Sequence, residues 1–320
     1  MIAVPIAIFA FNRLGLLKKT LAALERCEGF PGGPLHVFSE ASRDGLPAEA
    51  AAVNELRAWL RPWCARHHAI LHEAATNRGL RVSIVSGVTA LLQEHERVIV
   101  LEDDIVVSPV FIRFMHGALE VFRDRNDICQ VSGYFVPHRM NLPPAGMLRV
   151  PACWGWATWR RSWQHYSDDA AALLAAIKAR DVDAFDLNGS YANLEALENN
   201  AQGSLNTWFI RWYASVFLRG GLTVYPGQSL TRNIGFGGGG THCGKGIMDN
   251  TYLRQMMDQG PLRVDWESFG GGEDPRFLRV LEDFYHWQNE QWVRPSWRQV
   301  WRSRWRRLTG RQGKEGVRAR

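Results

Sequence analysis

The 320-residue sequence has five cysteines and no Cys-x-x-Cys pair. Cys27, Cys64, Cys129, Cys153 and Cys243 are odd in number and scattered, which argues against a disulfide framework or a structural zinc site and fits a reducing cytoplasm. Long apolar runs are missing as well. The longest near the start, Ile2 to Phe11, stops at Asn12-Arg13 and is too short to span a bilayer. It also lacks the basic start and small-residue cleavage site of a signal peptide, so it reads as a first strand. No Gly-x-Gly-x-x-Gly follows that strand and no lysine-bearing phosphate loop occurs, which weakens the dinucleotide and P-loop readings. There is no internal repeat, and no linker before about residue 286.

What is present is a core and a charged tail. A hydrophobic fraction of 46% supports a full core, and the length allows one large domain or two small ones. The net charge of +6 is unevenly placed. Residues 291–320 hold ten Lys/Arg and one acid, which leaves 28 bases and 31 acids in the rest. The expected division is therefore a body over 1–285 and a basic Trp/Arg-rich tail over 286–320. In the tail, Trp297, Trp301 and Trp305 recur at i, i+4 and i+8, with Arg298, Arg302, Arg304, Arg306 and Arg307 around them. Such a helix suits an anionic membrane surface. A helix packed on the body and non-specific nucleic-acid affinity are the alternatives, with nucleic acid the less expected partner. A cytoplasmic chain, peripheral on the inner face of the membrane, is the expected localisation.

The body alternates strands and helices. Strands are predicted over Val4–Phe11, Leu35–Phe38, Ile70–His72 and Arg97–Leu101, and helices over Leu14–Cys27, Ala48–Arg66 and Arg81–His95. This order argues for a mostly parallel α/β sheet. Ser108 and Pro109 predict the start of a helix over Val110–Arg123, with Ser108 as its N-cap. Further along, a strand is expected over Ile128–Tyr134, helices near 168–180 and over Trp208–Phe217, and a strand over Leu222–Pro226.

The run Val98-Ile99-Val100-Leu101 ends in Glu102-Asp103-Asp104. Open α/β sheets bind ligands at the carboxyl ends of their strands. Three adjacent acids there call for a positive partner, and Mg²⁺ or Mn²⁺ is the candidate. Asp104 is the expected direct ligand, Asp103 the group near a ribose or metal-bound waters, and Glu102 a packing residue. A solvated acidic corner is the plain alternative. A second candidate is Arg232-Asn233-Ile234-Gly235-Phe236, leading into Gly237–Gly240, Thr241 and His242. Its glycines allow close backbone approach to a ligand, Arg232 and Asn233 suit a diphosphate, and His242 suits a metal or a phosphate. Trp154-Gly155-Trp156-Ala157-Thr158-Trp159 reads either as core or as a platform on which a sugar stacks. Asn77-Arg78-Gly79-Leu80 forms a polar loop before a helix. Glu40 and Asp44 could accept from a uracil or a ribose, or be a solvated turn.

These segments, in this order, resemble GT-A glycosyltransferases. Leu101-Glu102-Asp103-Asp104-Ile105-Val106-Val107-Ser108-Pro109-Val110-Phe111 is similar to the metal-binding strand of the N-acetylglucosaminyltransferase I type. Asn77-Arg78-Gly79-Leu80, the Trp-Gly-Trp segment and Asn233 through His242 resemble bacterial family 2 members, which often build cell-surface polysaccharide or lipopolysaccharide. The resemblance covers roughly residues 2–245. It implies a GT-A-like (Rossmann-like) fold and hexosyl or N-acetylhexosaminyl transfer from a nucleotide sugar, UDP-linked by expectation. The acceptor would be a glycan or a lipid-linked hydroxyl. It also implies Mn²⁺ or Mg²⁺ on Asp104 and His242, with Asp103 at the ribose. Glu40, Asn77, Arg78, Gly155, Trp156, Arg232 and Asn233 would then serve the donor. One departure stands out. Inverting relatives carry an acid where this chain has Phe209, and phenylalanine takes no proton. Glu195 or Glu198 is the expected substitute, with Asp274, Glu273 and Asp168 behind them. Otherwise the enzyme is retaining or inactive. Gly270-Gly271-Gly272-Glu273-Asp274 resembles an acceptor loop of galactosyltransferases but follows His242, the wrong order for that role. A non-catalytic nucleotide-sugar or glycan binder and a sugar-phosphate nucleotidyltransferase remain as alternative functions.

Overall fold

Strict alternation of strand and helix fills the first hundred residues of the computed structural model: β1 (Ile6–Ala10), α1 (Leu14–Leu24), β2 (Leu35–Ser39), α2 (Pro47–His67), β3 (Ile70–Glu73), α3 (Gly79–Glu94) and β4 (Arg97–Glu102). The structure describes residues 3–236, 255, 257, 258, 260, 262–266 and 272–293. The second half continues with β5 (Ile105–Val107), α4 (Phe111–Val121), β6 (Ile128–Ser132), β7 (Ala145–Leu148) and β8 (Trp156–Trp159). Then come α5 (Arg160–Trp163), α6 (Ala170–Lys178), α7 (Val182–Phe185), α8 (Asn193–Ala201), α9 (Trp208–Leu218), β9 (Leu222–Pro226), β10 (Thr231–Asn233) and α10 (Pro275–Val293).

The large sheet has the order β3-β2-β1-β4-β8-β6-β9-β7. β1 pairs in parallel with β2 and β4, β2 with β3, and β6 with β9, while β8 and β7 run antiparallel to their neighbours. This is the mostly parallel α/β sheet flanked by helices that the sequence predicts. From β1 the chain winds outward through β2 and β3, then returns to place β4 on the other side of β1. The strand order therefore reverses between β1 and β4, the position at which such sheets bind ligands. β5 and β10 form a separate antiparallel ribbon, with Thr231 opposite Val107 and Asn233 opposite Ile105.

The parallel strands are apolar on both faces because both are covered. Ile6, Ile8 and Ala10 pack with Leu17, Leu21, Leu56 and Met115 on one side. Ala7 and Phe9 pack on the other with Ile84, Val88, Trp156, Trp163, Trp208 and Trp212. Polar groups inside this second layer are paired. The Trp212 indole N–H donates to Gln130 Oε1 at 2.6 Å, and Gln130 Nε2 donates to the Ala152 carbonyl at 2.7 Å.

One helix start differs from expectation. Helix α4 begins at Phe111 with Val110 in the cap position, and Ser108 Oγ accepts the Val110 N–H at 3.3 Å, so Ser108 closes the turn before the helix rather than capping it. Trp156–Trp159 is a strand inserted between β4 and β6. Helix α10 runs from Pro275 to Val293, across residue 285. Among the described residues no helix is long and apolar enough to cross a membrane.

Trp156 is 1% exposed and stacks on Trp208 with ring centroids 5.1 Å apart. Trp156→Ala is expected to cost about 3–5 kcal/mol through lost burial and the cavity left behind. Urea unfolding of the variant checks this, and a midpoint equal to that of the parent would remove Trp156 from the core account.

Candidate functional site

Residue Glu102 closes β4, and Asp103 and Asp104 form the turn into β5. One strand over, the chain leaves β1 through Phe11 and Asn12 and enters α1 at Arg13. The Arg13 guanidinium spans both aspartates. Its Nη2 pairs with Asp103 Oδ1, its Nε donates to Asp103 Oδ2 at 3.4 Å, and its Nη1 lies 2.9 Å from Asp104 Oδ2. Asp103 is tied further: the Phe11 N–H donates to Oδ2 at 3.5 Å, and Thr20 Oγ1 donates to the Asp103 carbonyl at 2.9 Å. The positive partner that the triplet calls for is thus supplied by the chain itself. Sequence reasoning missed this use of Arg13, because nothing local links it to acids ninety residues away.

The electrostatics follow from burial. Burial pushes the Asp103 carboxyl up to about 6, while Arg13 pulls it down. Burial also opposes the charge on Arg13, yet Asp103 and Asp104 raise its pKa further. Above pH 6 the arrangement is therefore a charged pair. The Glu102 side chain has no hydrogen bond or ion pair among the described residues. Burial, then the charges of Asp104 and Asp103, push it up to about 8.

Oxygen donors of this kind suit a hard cation, which takes one or two carboxylates and leaves other positions to water or phosphate. Asp104 presents Oδ1 unpaired among the described residues. No group of three or more His, Cys, Asp or Glu that could hold a metal occurs among them. Gly237–Gly240, Thr241 and His242, expected to complete the site, lie outside the described residues.

The ribbon brings Asn233 and Gly235 to Asp104. The Ile234 N–H donates to the Asp104 carbonyl at 2.8 Å, and the Gly235 N–H donates to Asn233 Oδ1 at 2.7 Å. An added Cβ at Gly235 would collide with the Asp104 carboxylate, so only glycine fits there. Arg232 is separated from this group. Strand alternation turns it to the other face, where it lines a pocket of about 370 Å³ with Ala23, Arg26, Val106 and Pro109. Its pairing with Asn233 around one diphosphate does not follow from this arrangement.

The other expected donor residues divide. Glu40 is buried; its Oε1 accepts the Ala41 N–H at 2.9 Å, and Ser83 Oγ donates to Oε2. Asn77 Nδ2 donates to the Ala41 carbonyl at 2.6 Å, bracing the loop after β2 against the loop after β3. Arg78 is exposed at the start of α3. Gly155 has φ +78°, and an added Cβ would sit 2.8 Å from Thr231 Cγ2. That positive φ turns the chain so that the Gly155 carbonyl accepts the Gly133 N–H at 2.8 Å. Trp156 is not a platform, since its indole is enclosed in the core. Trp154 is the partly buried indole of the segment, set edge-on to Tyr134 and Phe236 with centroids 4.5 and 5.5 Å away.

The acids expected to replace Phe209 are engaged elsewhere or exposed. Glu198 pairs with Lys178 at 2.7 Å, and Glu195 is exposed in the first turn of α8. Asp274 accepts the Arg276 N–H at 2.9 Å ahead of α10 and is held low by the Arg276 guanidinium. Glu273 Oε1 accepts the Arg149 N–H at 3.0 Å, and Asp168 pairs with Arg81 and Tyr166. Phe209 packs against the tryptophan layer. Among the described residues, none of these acids forms a bond with Arg13, Asp103 or Asp104.

No protein-family model and no curated protein matches the sequence. Solved structures do resemble it. S. aureus TarS aligns at 12% identity with a TM-score of 0.41, covering 71% of this chain and 59% of that one. The mannosyltransferase PcManGT from Pyrobaculum calidifontis, in complex with GDP-Man and Mn²⁺, aligns at 14% identity with a TM-score of 0.37, over 68% of this chain and 69% of that one. GalNAc-T7, with UDP, GalNAc and Mn²⁺, aligns at 10% identity with a TM-score of 0.42, over 70% and 42%. The chain thus spans less than two thirds of the first and the last. At such identities the likeness concerns the fold alone.

The raised pKa of Glu102 makes stability depend on pH. Unfolded, the carboxyl titrates near 4.5; folded, near 8, so between these values the native state holds the extra proton. The favourable contribution is full below 4.5 and is lost as pH rises through 8. Glu102→Gln, which mimics the protonated form, should match the parent near pH 5. At pH 8 in metal-free buffer it should exceed the parent by about 2 kcal/mol after allowance for solvent screening. Urea midpoints at the two pH values test it, and a gap that does not widen with pH would refute the raised pKa of Glu102.

Proposed function

We propose that the chain is a metal-dependent glycosyltransferase that moves a sugar from a nucleotide-sugar donor, UDP-linked by preference, to a hydroxyl of a glycan or lipid-linked acceptor in cell-surface polysaccharide synthesis. The observation that carries this reading is the pair Asp103–Asp104 at the carboxyl ends of β1 and β4, where the strand order reverses, with Asn233 and Gly235 drawn against Asp104. In this reading Asp104 is the carboxylate that holds Mn²⁺ or Mg²⁺, and Asp103 is fixed by Arg13, Phe11 and Thr20 so that the turn keeps its shape. The cation, when bound, supplies charge that stabilises the leaving diphosphate. The braced loops carrying Glu40 and Asn77 form the donor side, and Trp154 with Gly155 forms the wall opposite. The tail bearing Trp297, Trp301 and Trp305 would bring the protein to an anionic membrane surface, where a lipid-linked acceptor lies.

A second reading is favoured by Phe209 and by the internal pairing of Glu198, Glu273, Asp274 and Asp168. If no acid reaches the acceptor hydroxyl, the site would bind a nucleotide sugar and not transfer it.

One experiment separates the two. A panel of nucleotide sugars is titrated calorimetrically with and without Mn²⁺, and each binder is then assayed for release of free nucleotide. Metal-dependent binding with slow release is expected, and Asp104→Ala should lower the release rate by about 10²–10³-fold. Binding without release on any candidate acceptor supports the second reading. No binding to folded protein sinks both.

A further inference from the structure

We propose that Arg13 is a built-in counter-ion that competes with a divalent cation for Asp104, and so sets how tightly the site binds metal. The inference rests on the reading of Asp104 as a cation ligand. Its evidence is the unequal hold on the two aspartates. Asp103 meets two nitrogens of the guanidinium, accepts the Phe11 N–H and is anchored through its carbonyl to Thr20. The Asp104 carboxylate has only Arg13 as a hydrogen-bond or ion-pair partner among the described residues, through Nη1 at 2.9 Å.

Asp104 is therefore the carboxylate that can leave, while Asp103 keeps the arginine. The backbone at Arg13 stays in place during such an exchange, because its carbonyl accepts the Leu16 and Leu17 N–H groups at 3.0 Å each. The side chain is 21% exposed, which gives the guanidinium a route outward. Two carboxylates against one guanidinium leave about one negative charge, enough to attract a divalent cation. The guanidinium stands against that attraction, and it does so at every working pH because arginine does not deprotonate.

The test measures Mn²⁺ binding to the full chain, with free Mn²⁺ followed by electron paramagnetic resonance. Arg13→Gln should bind Mn²⁺ at least about tenfold more tightly than the parent. Arg13→Lys, which keeps a charge but loses the fork, should fall between them. It also carries the test if the glutamine variant does not fold. Adding Asp104→Asn to either variant should return weak binding. The proposal is overturned if neither Arg13 variant binds Mn²⁺ more tightly than the parent, or if the gain survives loss of Asp104. Nucleotide-sugar titration of the same proteins keeps the two readings apart. A gain in Mn²⁺ affinity with no donor bound by any form would sink the transferase reading and leave this one standing. Donor binding with unchanged Mn²⁺ affinity would do the reverse.

Discussion

Two carboxylates side by side at the end of a buried strand repel each other, and burial makes each charge more costly. Arg13 answers that cost. It can do so only because β1 and β4 are adjacent and parallel, so the loop leaving one strand lies beside the turn leaving the other. The pairing of Phe9 with Glu102 sets the register, and the first turn of α1 holds the backbone of Arg13. Thr20, further along the same helix, fixes the Asp103 carbonyl. Strand order, helix start and acid pair are one mechanical unit.

The rest of the candidate site is braced to that unit. The ribbon of β5 and β10 begins immediately after Asp104 and brings Asn233 and Gly235 back to it. Thr231 at the other end of β10 donates to the Trp154 carbonyl at 2.7 Å, and its methyl group packs where Gly155 leaves room. The Trp154–Gly155 turn is thereby tied to the acid turn through three residues of ribbon. On the far side, Arg57 donates to the carbonyls of Ser39, Glu40 and Ala74, and Asn77 to that of Ala41. The loops after β2 and β3 are thus held by charge-assisted and amide hydrogen bonds rather than by apolar packing, which suits a wall that faces a polar ligand.

Legibility in the sequence followed the range of the interactions. β1, β2 and β4 were readable because strands covered on both faces are continuous apolar runs. Trp156–Trp159 was not, since two indoles three residues apart carry no period that distinguishes a core strand from a sugar platform. The ribbon strands have three residues each, too few for any alternation to show. Yet that alternation decides that Asn233 faces Asp104 and Arg232 does not. Glu40, Asn77 and Gly155 were visible as residue types in loops, but their hydrogen bonds depend on the loops meeting. The acid triplet was legible in full. Its counter-ion was not, because an ion pair across ninety residues leaves no trace in local pattern.

The fate of the remaining acids bears on chemistry. An acid that takes a proton from a hydroxyl needs a pKa near the working pH and a lone pair free to accept. Glu198, Glu273, Asp274 and Asp168 each meet a Lys or Arg, so their lone pairs are already engaged; for Asp274 and Asp168 the pKa is lowered. Phe209 is partly buried and packs against the apolar layer that Cys153 and Tyr166 also flank. The contacts that Phe209 makes there, with Trp208 among them, are apolar ones.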